Sequence, residues 1–521
     1  MSVSMVLSAA VFGLHVEFVQ VEADVGNGLP AFHMVGYLSS EVKEAGERVR
    51  TAIRNSGFEF PAKKTVINLS PATIRKRGAA FDLPIAIAIL KSLGIIDRKD
   101  PKELLILGEL GLDGSIRKVP GVLPVIMEAR KKGIYRCMIP VENEKEANLA
   151  EGMQVIGVRT LREAYEWLIG VRKFQTGKER EKKKSVKSEE GQKTRERGLD
   201  FQDIYGQSAV KRAVEVAVAG GHNLLMVGPP GSGKTMIAKR IPTILPPLTL
   251  EESMEITKIY SIVGKIDGSE PLIRTRPFRS VHHTVTQTAL IGGGIIPAPG
   301  EITLAHGGVL FLDELPEFRK SVLEVLRQPL EERKIWISRT HGTYLFPANF
   351  MLVCAMNPCP CGELGSGNCT CTPGQVRNYL GKLSQPFLDR IDLCVEAPKV
   401  TYEELQDGKK EKKAESSLEI RQRICESRAI QTERFSRSET GFNAMMSIGE
   451  VEQYCKLGKE EESLVKMAYE RLGLTARSYH KILKVARTIA DLAGEERIQT
   501  MHLAEAIGYR SFDKTYGGRS V

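Results

Sequence analysis

The chain has little of what marks a secreted or membrane-embedded protein. Tryptophan occurs twice in 521 residues, and aromatic residues make up only 6%. No apolar run reaches the ~18 residues that a membrane-spanning helix needs, and the nearest, 83–96, is broken by Lys91. The first residues, MSVSMVLSAAVFGLHVEF, lack the basic start and small-residue cleavage site of a secretory leader and read as a strand. A cytoplasmic location is the expectation. Nine cysteines are too few for a disulfide scaffold in a chain this long, and four of them crowd between Cys359 and Cys371, which points to metal more than to oxidation.

Positive charge is what the chain has in excess, with 74 Lys or Arg against 64 Asp or Glu, a net +10. Residues 171–199 alone carry eleven Lys or Arg against five Glu, so most of the excess sits in one segment. The rest is only mildly basic, and charge alone favours nucleic-acid binding only modestly. The same segment has few apolar residues and no sustained period, so it reads as a basic flexible linker.

At ~150 residues per domain the length suggests about three domains. Residues 1–170 read as an α/β domain, strands such as 64–69 and 104–107 alternating with helices at 40–56, 83–93 and 122–132. Residues 200–400 read as a second α/β unit, followed by a lysine-rich surface loop at 406–417. Within 401–521 the apolar spacing turns helical between 447 and 510, as at Ile482, Val485, Ala486, Ile489 and Ala490, which suits a small helical lid.

The second unit carries the chemistry. An apolar run, 223–227, meets GPPGSGKT, which is Gly228, Pro229, Pro230, Gly231, Ser232, Gly233, Lys234 and Thr235, and then a helix. This is G-x-x-x-x-G-K-[ST] in the strand–turn–helix context that the pattern requires. Glycines let backbone N–H groups turn inward around phosphates, and the helix start adds its positive dipole end. Lys234 is then placed to reach the β and γ phosphates of ATP, and the Thr235 hydroxyl to hold Mg²⁺.

A second apolar run, 308–312, ends at Asp313 and Glu314. Asp313 suits Mg²⁺ binding through water and Glu314 suits polarising the attacking water, the alternative being a helix-cap acid with a solvated neighbour. A third run, 351–356, ends at Asn357, whose amide can position that water or touch the γ-phosphate, or simply make a turn. Arg390, set among acids in QPFLDRID, and Arg477, at a helix start, each offer a forked charge for a γ-phosphate or a plain surface ion pair. A guanidinium supplied by a neighbouring subunit would make hydrolysis depend on assembly.

Cys359, Cys361, Cys369 and Cys371 form C-x-C, seven residues, C-x-C, enough for a structural four-thiolate Zn²⁺ site, with free buried thiols or redox pairs as the alternative. Four thiolates leave no open position, so catalytic zinc is not indicated. Two insertions are candidates to touch a polymer. Residues 291–299, IGGGIIPAP, read as a mobile loop without core value, and 333–346 as a hairpin turning at His341-Gly342. Arg339 at its tip, and more weakly Lys334 and Arg333, are the candidate phosphate contacts, against a merely solvated hairpin.

In this order the motifs resemble the magnesium-chelatase-like AAA+ family of the YifB or ComM type, over nearly the whole chain. VHHTVTQTALIGGGIIPAPGEITLAHGGVLFLDELPEF at 281–318 and AMNPCPCG at 355–362 carry the resemblance more specifically than the phosphate loop. It implies an α/β AAA+ P-loop core with a helical lid of the magnesium-chelatase C-terminal type. It also implies that Lys234 and Thr235 hold Walker A positions, Asp313 and Glu314 Walker B, Asn357 sensor 1, Arg390 an arginine finger acting in trans, and Arg477 sensor 2. A homohexameric ring follows from the resemblance as well. So does an ATP-driven helicase that migrates single-stranded or branched DNA in recombination during natural transformation.

The first domain resembles the Lon protease fold through INLSPATIRKRGAAFDLPIAIAIL at 67–90 and GELGLDGSIRKVPGVLPVIMEARKKGI at 108–134. Asp82 stands where the protease has its serine, and an apolar residue near Leu123 where it has its lysine, so no nucleophile is expected. The domain reads as non-proteolytic, a scaffold or DNA-contacting collar like the related domain of the RadA recombination ATPase. Two other classes share the core. A chelatase-type ATPase that drives Mg²⁺ into a porphyrin is disfavoured by the Lon-like domain and the cysteine loop. A protein-remodelling ATPase that unfolds without cleaving stays open.

Overall fold

Alternation builds the first sheet. In His15–Gly26, Val19, Val21, Ala23 and Val25 are buried while the residues between them face outward, the period of two that a strand imposes. The computed structural model describes residues 3–97, 104–171, 198–294, 297–339, 342–365, 367–400, 415–438 and 440–510. Nearly all of the 171–199 segment and most of the 406–417 loop lie outside the described residues.

The sheet has seven strands in the order Ala31–Val35, Lys64–Ser70, His15–Gly26, Ser4–Phe12, Leu104–Ile106, Arg136–Pro140 and Gln154–Val158. The N-terminal run expected as one strand is two, paired antiparallel across a tight turn in which Phe12 faces His15. The strands beyond Ser4–Phe12 run parallel. Successive residues point to opposite faces, and both faces are covered. Ala10, Leu104 and Ile106 pack with the helices Ser40–Asn55 and Asp82–Ser92, whereas Ala9 and Leu105 pack with Val122–Lys131.

The second sheet is built differently. Its strands follow the order Phe278–Val281, Val309–Leu312, Met351–Met356, Leu224–Val227 and Leu393–Glu396, all parallel. Three of the five are buried at every position, which is how a parallel sheet covered on both faces reads in sequence. One face packs with Ser208–Gly220, Lys234–Ile244 and the later helices Ser417–Arg434, Ala476–Leu492 and Thr500–Gly508. Strands of one direction align their C-terminal ends on one edge, and functional groups collect there.

The helix Leu250–Ile262 ties the two sheets together. Ser261 O accepts from Gly121 N at 2.9 Å, and Ser261 Oγ donates to the buried Glu146 carboxylate at 2.5 Å. Lys118 Nζ adds a bond to Ile266 O at 2.9 Å.

The hairpin pairs Lys334–Arg339 with Gly342–Pro347, Arg339 opposite Gly342; His341 lies outside the described residues. Lys334, Trp336 and Ser338 face outward over buried Ile335 and Ile337. Arg333 does not join them, because its guanidinium turns inward to Phe350 O at 2.6 Å. The expectation of a coreless loop at 291–299 also needs correcting. Gly292–Gly293 pairs with Ala298–Pro299, and Gly292, Pro299 and Gly300 are buried. The glycine is a packing requirement there, since a Cβ on Gly292 would lie 2.3 Å from Ala298 O. Residues 295–296 lie outside the described residues. Among the described residues, no helix is long and apolar enough to cross a membrane.

Candidate nucleotide-hydrolysis site

Three neighbouring strands of the parallel sheet end at one place. Leu224–Val227 runs into the glycine-rich turn, Val309–Leu312 into Asp313 and Glu314, and Met351–Met356 into Asn357. The turn is fastened to the sheet, for Gly228 N donates to Met356 O at 3.1 Å and Ala397 N to Val227 O at 2.7 Å. A Cβ on Gly228 would fall 2.1 Å from Ala397 O, so no larger residue fits.

Lys234 opens the following helix and folds back over the turn. Its ammonium donates to Gly228 O at 2.7 Å, Pro229 O at 2.8 Å, Ser232 Oγ at 3.3 Å and Asn357 Oδ1 at 3.4 Å. Burial lowers its pKa from the ordinary lysine value, and Asp313 opposes that shift. A cation held by neutral carbonyls gains when a phosphate replaces them, because the phosphate adds the attraction of opposite charges at short range.

The Thr235 hydroxyl donates to Asp313 Oδ2 at 2.6 Å. A hydroxyl and a carboxylate converging in this way are hard oxygen donors of the kind Mg²⁺ prefers, so the residues fit that ion. Asp313 Oδ1 accepts from the Glu314 backbone N–H at 3.0 Å. Glu314 itself has φ 53°, in the left-handed region, a strained setting that clusters at functional sites. Its side chain is 62% exposed and meets His283 Nδ1 at 3.2 Å, so water reaches it freely.

The two arginines do not join this cluster. Arg390 donates to Glu331 Oε1 at 2.5 Å and to Pro386 O at 2.5 Å, while Arg477 reaches the same Glu331 oxygen at 3.5 Å. They border a separate cavity of about 450 Å³ between the core and the C-terminal helices, with Lys481, Lys484 and Asp392. The acids beside Arg390 in sequence do not pair with it. Asp392 instead binds Lys481 at 2.8 Å and accepts from Asn223 N at 2.8 Å.

The cysteines do come together. The Sγ atoms of Cys359, Cys361, Cys369 and Cys371 all lie within 4.8 Å of one another, and none is in a disulfide. In the first sheet's half, Asp82 is fully buried and gripped by Arg48, Nε at 2.9 Å and Nη2 at 3.0 Å. Burial raises the Asp82 pKa while the Arg48 hydrogen bonds hold it back. Leu123 is buried, and its backbone N–H donates to Glu146.

Sequence reasoning missed three residues here. His283 meets Glu314; Gln207, at φ 57°, braces the phosphate loop through Ser232 O at 3.2 Å and Pro398 O at 2.6 Å; Glu331 gathers both arginines. Only His283 had a signal, its place two residues past the apolar end of the strand Phe278–Val281; the other two act through neighbours distant in sequence.

Three family models match the chain. The model described as "Magnesium chelatase, subunit ChlI" matches residues 200–405, "Subunit ChlI of Mg-chelatase" matches 21–143, and "Magnesium chelatase, subunit ChlI C-terminal" matches 414–510. The chain is 43% identical over 511 residues to the competence protein ComM of Haemophilus influenzae, 98% of each chain being covered. To the protein YifB of Escherichia coli it is 42% identical over 514 residues, 99% of this chain and 98% of that one. A partial match, 31% identical over 159 residues, links it to Lon protease 2 of Bacillus subtilis, covering 28% of this chain and 27% of that one.

Proposed function

From the premise that this chain belongs to the magnesium-chelatase-like AAA+ ATPases of the YifB and ComM family, we propose that it is a cytoplasmic homohexameric motor. On this reading it hydrolyses ATP to drive single-stranded or branched DNA, as a helicase that migrates branches in homologous recombination during natural transformation. The observation that carries the reading is the separation of charges. Lys234, Thr235, Asp313, Glu314 and Asn357 gather at one strand edge, while Arg390 and Arg477 converge on Glu331 beside a different cavity. A second copy can present the arginines where the first copy holds the phosphates.

The chain's own groups then divide the work. The Lys234 ammonium leaves its loop carbonyls for the β and γ phosphates, and Asn357 orients the attacking water. Glu314, open to solvent, accepts that water's proton. Arg390 from the neighbour balances charge developing on the γ-phosphate, with Arg477 beside it. Mg²⁺, held by Thr235 and by Asp313, would neutralise phosphate charge when bound. The four cysteines hold a structural Zn²⁺. The exposed Lys334, Trp336 and Arg339 of the hairpin supply charge and a stacking face to a DNA strand.

ATP turnover measured with and without single-stranded DNA, followed by strand displacement on a forked duplex, tests the reading. Stimulation and unwinding are the expected results. DNA that neither speeds turnover nor becomes unwound would move the assignment to a chelatase-type or protein-remodelling ATPase.

A further inference from the structure

The cysteine segment lies against the nucleotide site. Asn357, whose amide oxygen touches Lys234, is followed two residues later by Cys359, fully buried. The chain turns at once, Gly362 N donating to Cys359 O at 3.0 Å, and Gly362 presses on the phosphate loop. A Cβ on Gly362 would sit 2.4 Å from Pro230 Cδ, and its φ is 81°. Glu363 adds an ion pair to Lys399 at 2.5 Å, just past the edge strand.

Apolar burial does not hold this segment in place. Among its described residues from Cys361 to Cys371, none is a buried apolar side chain, and its one leucine, Leu364, is 36% exposed. The sulfurs are spaced at 3.3 Å for Cys359 to Cys361, 3.8 Å for Cys359 to Cys369 and 3.6 Å for Cys361 to Cys369. A tetrahedron of thiolates about 2.3 Å from a Zn²⁺ ion has sulfur–sulfur edges of about 3.8 Å. The spacing suits a shared ion.

We propose that zinc at these four thiols braces the phosphate loop, so that metal occupancy sets nucleotide affinity. Zinc fixes Cys359 and the Gly362 turn, the turn holds Pro230 where it stands, and Cys359 anchors the strand end that carries Asn357. Loss of the ion frees the segment, and with it Pro230 and the Asn357 contact to Lys234. The inference rests on the readings of the loop as the nucleotide site and of the thiols as a zinc site, and each can fail separately.

The test uses the full chain, metal analysis, and titration with a fluorescent ADP analogue before and after chelation under reducing conditions. The expected result is one zinc per chain, an affinity loss of about tenfold or more on removal, and recovery on adding zinc back. Gly362→Ala, which keeps all four thiols but crowds Pro230, retains zinc and weakens nucleotide binding by a similar factor. A chain purified without metal overturns the zinc reading and the brace together. A zinc-free chain that binds the analogue as tightly as the loaded one overturns the brace alone. If the metal-free chain unfolds, Gly362→Ala decides, and unchanged affinity in that variant overturns the brace. A zinc-loaded chain that binds no nucleotide overturns the nucleotide site itself.

Discussion

Acids of the two α/β halves, Asp82 in the first and Asp313 with Glu314 in the second, have opposite fates. Asp82 is sealed in the core of the first half, with both carboxylate oxygens taken by Arg48 and the Leu110 N–H at 3.4 Å as a further donor. Asp313 and Glu314 stand at a strand edge of the second half, with Thr235 as a light partner and solvent at Glu314. Buried, fully satisfied charge stabilises one geometry and has nothing to offer a substrate. Charge that is positioned yet open can bind a metal or take a proton. On the proposed reading, the first half keeps the outline of a Lon-like fold without its nucleophile, and the second half carries chemistry that a neighbouring copy completes.

The largest expected effect breaks or confirms that dependence on a partner. Arg390→Ala should cut ATP turnover by about a thousandfold, and so should Lys234→Ala. Mixed in one assembly, the two should recover part of the rate, because some interfaces then combine an intact loop with an intact arginine. No recovery in a titration of mixing ratios would count against action across an interface.

Next comes the open acid. Glu314→Gln should lower turnover by about a hundredfold or more while nucleotide still binds, the signature of a lost proton acceptor. Normal turnover in this variant would remove Glu314 from its role. The sealed acid should behave in reverse. Asp82→Ala should cost about 3 kcal/mol of stability, read as a lower melting temperature, with the turnover of folded protein unchanged. A large loss of turnover at full stability would mean that the first half takes part in the reaction.

The smallest effect concerns pH and again belongs to the second half. His222 is buried beside Thr488, with its Nε2 2.8 Å from the hydroxyl. Burial, aided by Lys484, Arg428 and Lys481 and opposed by Asp392, pushes its pKa down to about 4. The folded chain keeps this ring neutral where the unfolded chain, titrating near ~6.5, takes up a proton. Stability should therefore fall as pH drops from about 6.5 to 4, by about 3 kcal/mol at most, and His222→Gln should flatten that slope in denaturant melts. An unchanged slope would place the acid sensitivity elsewhere.

Much of the second half was legible from linear signals. GPPGSGKT, the paired acids after an apolar run, and Asn357 after another are local patterns, and a parallel sheet brings its strand ends to one edge whatever the helices between them. The helices of the first half were legible as well, to within a residue or two at their ends. The loop at 291–299 was misread because glycine and proline signal backbone freedom in sequence but serve close packing in the fold. Arg390 was seen among acids, yet its partner Glu331 lies 59 residues away in sequence.

By itself, then, the order of residues singled out the groups proposed to bind a nucleotide, because covalent spacing fixes a strand, a turn and a helix start. It also carried the expectation, through the resemblance to the Lon fold, that Asp82 and an apolar residue near Leu123 stand where a protease would need its serine and lysine. Only the tertiary structure decided that Asp82 is neutralised by Arg48, that His283 meets Glu314, that Arg390 and Arg477 share one glutamate, and that the cysteine segment presses on Pro230. These are contacts between segments far apart along the chain. Their energies depend on burial and on angle, which no local pattern encodes.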